Sequence, residues 1–140
     1  MTNKMSHYLF VYGSLRSGFH SPAYDYISKY FNFFGNAKVK GRLYDMGEYP
    51  AAIPSQEDAF IFGELYLIKN EKEFSWAIAQ LDDYEGIVVE PGEQQLYRRD
   101  IVDVHVNDAI VPSWIYWYNG DVNGKPVIES GDILDYLRKK

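Results

Sequence analysis

The chain contains no cysteine, so disulfides, thiolate metal ligands and thiol nucleophiles are excluded, and nothing in it requires an oxidising compartment. Histidine is scarce: His7, His20 and His105 lie far apart without ligand spacing, and no metal site is expected. Positive charge is also thin. The formal net charge is −6, and the only dense basic pieces are Tyr97-Arg98-Arg99 and Arg138-Lys139-Lys140. That balance argues against nucleic acid or an anionic membrane as a partner. No apolar run approaches the length of a membrane span, and Met1 to Ser6 lacks the apolar core of a signal peptide. The expectation is a soluble, cytoplasmic protein.

Aromatic residues, by contrast, are abundant. Thirteen Tyr, eight Phe and three Trp are concentrated in segments that read as strands, a load suited to a tightly filled β-rich core. At 140 residues the chain fits one domain over its whole length, with enough core to fold without metal or disulfide.

Tyr8-Leu9-Phe10-Val11-Tyr12 is a nearly continuous apolar run and predicts a central strand, with Gly13 letting the chain turn sharply behind it. Ser21-Pro22 then opens a short helix bearing Tyr26, Ile27 and Tyr30, with Ser as N-cap and Pro in the first turn. Phe31 to Tyr44 predicts one long strand bulged at a glycine, Asp45 to Pro50 a turn, and Phe60 to Ile68 another strand. The repeated Gly-x-Leu-Tyr at Gly41 to Tyr44 and Gly63 to Tyr66 marks two strands where another backbone comes close.

Asn70 to Glu73 has capping-box spacing, and Phe74, Ala77, Ile78 and Leu81 form one helical apolar face after it. Gly86 is placed to stop that helix, so Glu85 should project from its last turn or just beyond. Near the negative end of the helix dipole, with Asp82 and Asp83 close by, the Glu85 carboxylate should be disfavoured as an anion and its pKa raised. Asp82-Asp83 itself reads as a solvated acidic cap. After Pro91-Gly92, Val102, Val104 and Val106 predict a strand with one wet face, joined through Asn107-Asp108 to a hairpin partner at Ser113 to Tyr118. Arg98 and Arg99 are expected to pair with the abundant acids. A short amphipathic segment follows Ser130-Gly131-Asp132.

These elements predict an α+β chain: a small mixed, mostly antiparallel β-barrel of five to six strands with short peripheral helices. Its filled interior would leave room for a small ligand near a glycine-lined opening, at the end of the first strand. Backbone N–H groups around Gly13 can hold a carbonyl or carboxylate, and Glu85 can supply the acid or base that moves a proton beside it. An enzyme site, a ligand-binding module using the same pocket, and an oligomer interface built from exposed aromatics are all compatible with the pattern.

Several segments carry a more specific message. Val11-Tyr12-Gly13-Ser14-Leu15-Arg16, Gly41-Arg42-Leu43-Tyr44-Asp45 leading to Tyr49-Pro50-Ala51, Gly63-Glu64-Leu65-Tyr66, Leu81-Asp82-Asp83-Tyr84-Glu85-Gly86, Tyr97-Arg98-Arg99 and Trp114-Ile115-Tyr116 occur in this order. The ordered set resembles the gamma-glutamylcyclotransferase-like superfamily, and Leu15 after Tyr-Gly-Ser is similar to the gamma-glutamylamine cyclotransferase branch and its bacterial relatives. The resemblance implies a mixed barrel with flanking helices, Glu85 as catalytic acid/base, and Tyr12, Gly13, Ser14 and Leu15 lining the substrate pocket with Tyr116 facing it. It implies conversion of a gamma-glutamyl amide to 5-oxoproline and a free amine, without cofactor or metal. The expected partner is that small substrate, handled by a monomer or homodimer. Arg16 could attract a substrate carboxylate or be an ordinary exposed loop residue, and Tyr116 could equally be core.

Overall fold

The computed structural model describes residues 6–13, 22–47, 50–85 and 97–138, of which 22–24 and 83–85 are described in backbone only. Along the chain run β1 (Tyr8–Val11), α1 (Pro22–Tyr30), β2 (Phe31–Asp45), β3 (Pro50–Pro54), β4 (Phe60–Ile68), α2 (Phe74–Glu85), β5 (Tyr97–Val106), β6 (Ala109–Tyr118), β7 (Val127–Ile128) and α3 (Ile133–Arg138). A 3-10 turn, Glu71–Glu73, leads into α2.

Five strands close on themselves in the order β2-β4-β1-β6-β5, and β5 returns to β2 through the pair Lys38 and His105. All of these pairings are antiparallel except β1 with β6, where Leu9 lies beside Trp114 in parallel. The mixed, mostly antiparallel barrel expected from the sequence is therefore present. Two short strands extend it: β3 pairs with Gly41 to Asp45 of β2, and β7 pairs with Leu43 and Tyr44. Neither was expected. Pro50 and Pro54 bound β3 and read locally as turn residues, but both sit at strand ends, where the missing N–H does not interrupt the ladder.

The long strand β2 runs without a break because its register shifts once, between Phe33 and Gly35, giving the bulge anticipated at a glycine. Such a bulge adds twist and lets one strand curl around a small barrel. Alternation along β1 then separates two cores. Phe10 and Tyr12 face a cluster with Val39, Leu65, Val104, Ile115 and Trp117 that fills the barrel. Leu9 and Val11 face a second cluster with Tyr66, Tyr116, Ile27 of α1, and Phe74, Ala77, Ile78 and Leu81 of α2. The predicted helical face of α2 is thus buried on the outside of the sheet. Asn70 caps its entry, its Oδ1 accepting from the Lys72 N–H at 3.0 Å. Asp132 does the same for α3, accepting from the Leu134 N–H at 3.0 Å.

Close approach of strand backbones and a bond between helices are two further features of the packing. A Cβ added at Gly63 would lie 2.2 Å from the Val11 carbonyl oxygen, so β1 and β4 approach where no side chain fits. Gly41 is similarly crowded, with the Ile53 carbonyl oxygen 2.9 Å from such an atom. The Tyr26 hydroxyl of α1 donates to the Ala77 carbonyl of α2 at 3.1 Å. Burial, with a smaller contribution from Tyr30, pushes the Tyr26 phenol up to about 12.

Gly63→Ala should destabilise the chain by at least about 3 kcal/mol, because strand backbone rather than a flexible side chain must yield. Gly13→Ala should leave stability nearly unchanged, since among the described residues the added carbon meets only the Pro50 ring at 3.5 Å, and Gly13 has no left-handed backbone. Urea unfolding of the two variants would distinguish them. For Tyr26, the folded state keeps a proton that the unfolded chain releases. Its stabilising contribution is complete below the unfolded value near 10 and is lost as pH rises toward about 12. Tyr26→Phe should flatten that part of the alkaline stability profile.

Candidate active site

Three elements meet around Tyr116. β6 carries it in the parallel pairing with β1, so its backbone lies beside the end of the first strand, and its side chain points outward beneath α2. Tyr12, just past β1, points the other way into the barrel, and its hydroxyl donates to the Tyr116 carbonyl at 2.5 Å. The two tyrosine rings expected to share one pocket therefore lie in different cores and meet through main chain. Both are buried, at 7% and 2% exposure.

The Tyr116 hydroxyl donates to Asp82 Oδ1 of α2 at 2.8 Å. Arg99 of β5 occupies the same carboxylate with two bonds, Nε to Oδ1 at 2.6 Å and Nη2 to Oδ2 at 2.9 Å. Its guanidinium also lies over the Trp114 ring, 4.3 Å from the centroid, and Trp114 is held by its indole N–H donating to the Ser6 carbonyl at 2.8 Å. Asp82 was expected to be part of a solvated acidic cap. Its side chain is only 13% exposed and is fully engaged with the sheet. The paired cation offsets its charge. The ion pair expected for Arg99 is present, and Arg98 pairs with Asp100 at 3.1 Å.

Glu85 lies in the last described turn of α2. It follows Asp82 by three residues, about 4.5 Å further along the axis and on a neighbouring part of the same face. Its side chain lies outside the described residues. So do Ser14, Leu15 and Arg16, the expected N-cap Ser21, Asp83, Gly86 and the Pro91-Gly92 turn. Gly13 is described, at a bend directly after Tyr12 and against Pro50.

One further carboxylate stands near the end of β1. Glu64 is paired with Val11 across β1 and β4, is buried to 6% exposure, and accepts a hydrogen bond from the Tyr66 hydroxyl at 2.9 Å. A separate open groove of about 620 Å³ lies where β2 and β5 diverge, lined by Lys40, Gln56, Arg98, Asp100, His105 and Trp117 among others. It shares no residue with the Tyr116 cluster. Among the described residues no group of acids and histidines is arranged to hold a metal ion, and no helix is long and apolar enough to cross a membrane.

Residues 9–135 match the model of the family described as gamma-glutamyl cyclotransferase, AIG2-like. The chain belongs to that family. A Vibrio cholerae serotype O1 protein with a provisional gamma-glutamylcyclotransferase name is 34% identical over 128 residues, spanning 91% of this chain and 96% of that one. The gamma-glutamylcyclotransferase family protein YtfP of Escherichia coli K12 is 31% identical over 128 residues, again over 91% of this chain and 96% of its own. The solution structure of ytfP superposes with a TM-score of 0.63 over 95% of this chain and 99% of that one. YkqA from Bacillus subtilis superposes with a TM-score of 0.69 at 26% identity over 97% of this chain, which spans only 44% of YkqA. The family match encloses Tyr12, Gly13, Asp82, Glu85, Arg99 and Tyr116.

Tyr116→Phe should remove one of the three bonds to Asp82 while leaving the bond from Tyr12, whose acceptor is main chain. A loss of about 1.5–3 kcal/mol is expected for a buried bond to a charged partner. Chemical denaturation would measure it, and a change below a few tenths of a kcal/mol would show that Asp82 is held by Arg99 alone.

Proposed function

We propose that the chain cyclises a gamma-glutamyl amide to 5-oxoproline and releases the free amine, with Glu85 as the proton shuttle and the Tyr12 to Leu15 segment holding the glutamyl part. The observation that carries this reading is the family match running through every segment of the candidate site. The local architecture supports it: the described part of α2 runs to Glu85, Asp82 one turn earlier is bonded to Tyr116, and the Tyr116 carbonyl is bonded to Tyr12 beside Gly13. Helix end and first-strand end are thereby tied to the same residue.

The reaction needs little else. A gamma-glutamyl amide carries its own nucleophile, the α-amine, whose attack on the side-chain carbonyl closes a five-membered ring. The new C–N bond forms as the carbonyl π pair moves to oxygen. Collapse of that oxyanion breaks the bond to the departing amine, which leaves with the proton lost by the attacking nitrogen. Protein must therefore fold the substrate into attacking geometry, donate hydrogen bonds to the oxyanion and carry one proton between two nitrogens. Backbone N–H groups following Tyr12 serve the second need, and Glu85 the third.

Energetics set a condition on Glu85. Moving a proton from an α-ammonium to a carboxylate of ordinary acidity costs roughly 5 kcal/mol, and each unit by which the carboxyl is raised recovers about 1.4 kcal/mol. Its place in the last described turn of α2 acts in that direction, because the helix dipole disfavours a negative charge there.

Incubating the protein with gamma-glutamyl amides of amino acids, polyamines, ε-linked lysine and glutathione, and measuring 5-oxoproline, tests the reading. The wild type should turn over at least one donor. Glu85→Gln should lower kcat by about 10²–10⁴-fold or more with an unchanged unfolding midpoint. A wild type that binds the donors without releasing 5-oxoproline would instead favour a ligand-binding module.

A further inference from the structure

The last four residues of α2 include three acids, Asp82, Asp83 and Glu85. Phe74, Ala77, Ile78 and Leu81 seat the first two turns in the outer core, and the next residue, Asp82, is held by polar bonds instead. Helix ends fray because their last carbonyls lack intrahelical partners. A proton shuttle placed there needs another restraint, since its carboxylate must come within about 3 Å of both nitrogens.

Asp82 meets that need through three bonds from two strands. Arg99 and Tyr116 are cross-strand partners in the β5–β6 hairpin, so both donors reach up from one face of the sheet to one carboxylate. A bidentate guanidinium fixes the carboxylate plane, and a hydroxyl on Oδ1 fixes its rotation. Stacking on Trp114 fixes the guanidinium in turn. A simple surface ion pair would need none of these constraints.

We propose that Asp82, Arg99 and Tyr116 form a positioning clamp that sets the rotation and axial height of the last turn of α2, and so where Glu85 presents its carboxylate. This rests on the reading of Glu85 as the shuttle. The clamp residues touch no reacting atom. Their effect should appear in the chemical step, because a displacement of about 1 Å at a reacting group can cost about 10²-fold. Substrate affinity should be spared. Lysine cannot replace Arg99, since a single ammonium supplies neither the fork nor the stacked plane.

The test uses the full chain with Asp82→Asn, nearly isosteric, and Arg99→Lys, which keeps the charge. Both should lower kcat by about 10–100-fold with KM changed by less than about twofold. The double variant should fall no further than the worse single one, because either change opens the same clamp. Amide hydrogen exchange should accelerate over residues 82–85 and stay unchanged over 74–78. An active wild type with kcat within twofold in both variants overturns the positioning role. Unaltered exchange at the end of α2 overturns the clamp itself. Wild-type silence on every gamma-glutamyl donor overturns the cyclotransferase reading, and exchange then decides the mechanical clamp separately.

Discussion

The structure depends on the double demand placed on β2. This strand must pair with β4 from Phe31 to Lys40, meet β5 at Lys38, and go on to hold β3 and β7 between Gly41 and Asp45. A straight ribbon could not satisfy all four partners. The register shift between Phe33 and Gly35 supplies curvature at the start, and the small residues Gly41 and Gly63 allow close approach later. Closure of the barrel at Lys38 and His105 follows from that curvature. So does the burial of two separate apolar faces, one inside the ring and one beneath the helices.

The outer face gives the candidate site its character. Had the pocket residues all pointed into the barrel, they would compete for space with Phe10, Leu65 and Trp117. Instead Tyr116 looks outward to α2 while its main chain borders Tyr12, so helix and strand end are joined through a single residue. The parallel pairing of β1 with β6 makes this possible. It sets the C-terminal half of β6 beside the C-terminal end of β1, where an antiparallel neighbour would have brought its opposite end.

Much of this arrangement is legible locally. The strands β1, β2, β4 and β6, the bulge, the Asn70 cap and the face of α2 follow from periodicity and turn chemistry, because those signals act within a few residues. The short strands β3 and β7 are not legible, since they exist only by lying against β2. Asp82 misled for a related reason. Adjacent acids at a helix end look solvated until the partner, seventeen residues away, is known. A signal was nonetheless available: the Asn107-Asp108 turn pairs Val106 with Ala109, and counting seven residues out on each side brings Arg99 opposite Tyr116. The family resemblance reached Glu85 and the Tyr12 to Leu15 segment, whose side-chain geometry beyond Gly13 stays outside the described residues.

The bond between Tyr12 and Tyr116 ends on a carbonyl oxygen, and this has an evolutionary corollary. A side-chain acceptor would oblige positions 12 and 116 to vary together across relatives. A main-chain acceptor survives any residue at 116 that keeps the strand in place, so position 12 can stay tyrosine while 116 drifts. Covariation should instead link 82, 99 and 116, whose polar atoms meet directly. In an alignment of relatives, coupled replacement would trace the helix tie, and the strand-end tie would leave almost no statistical mark.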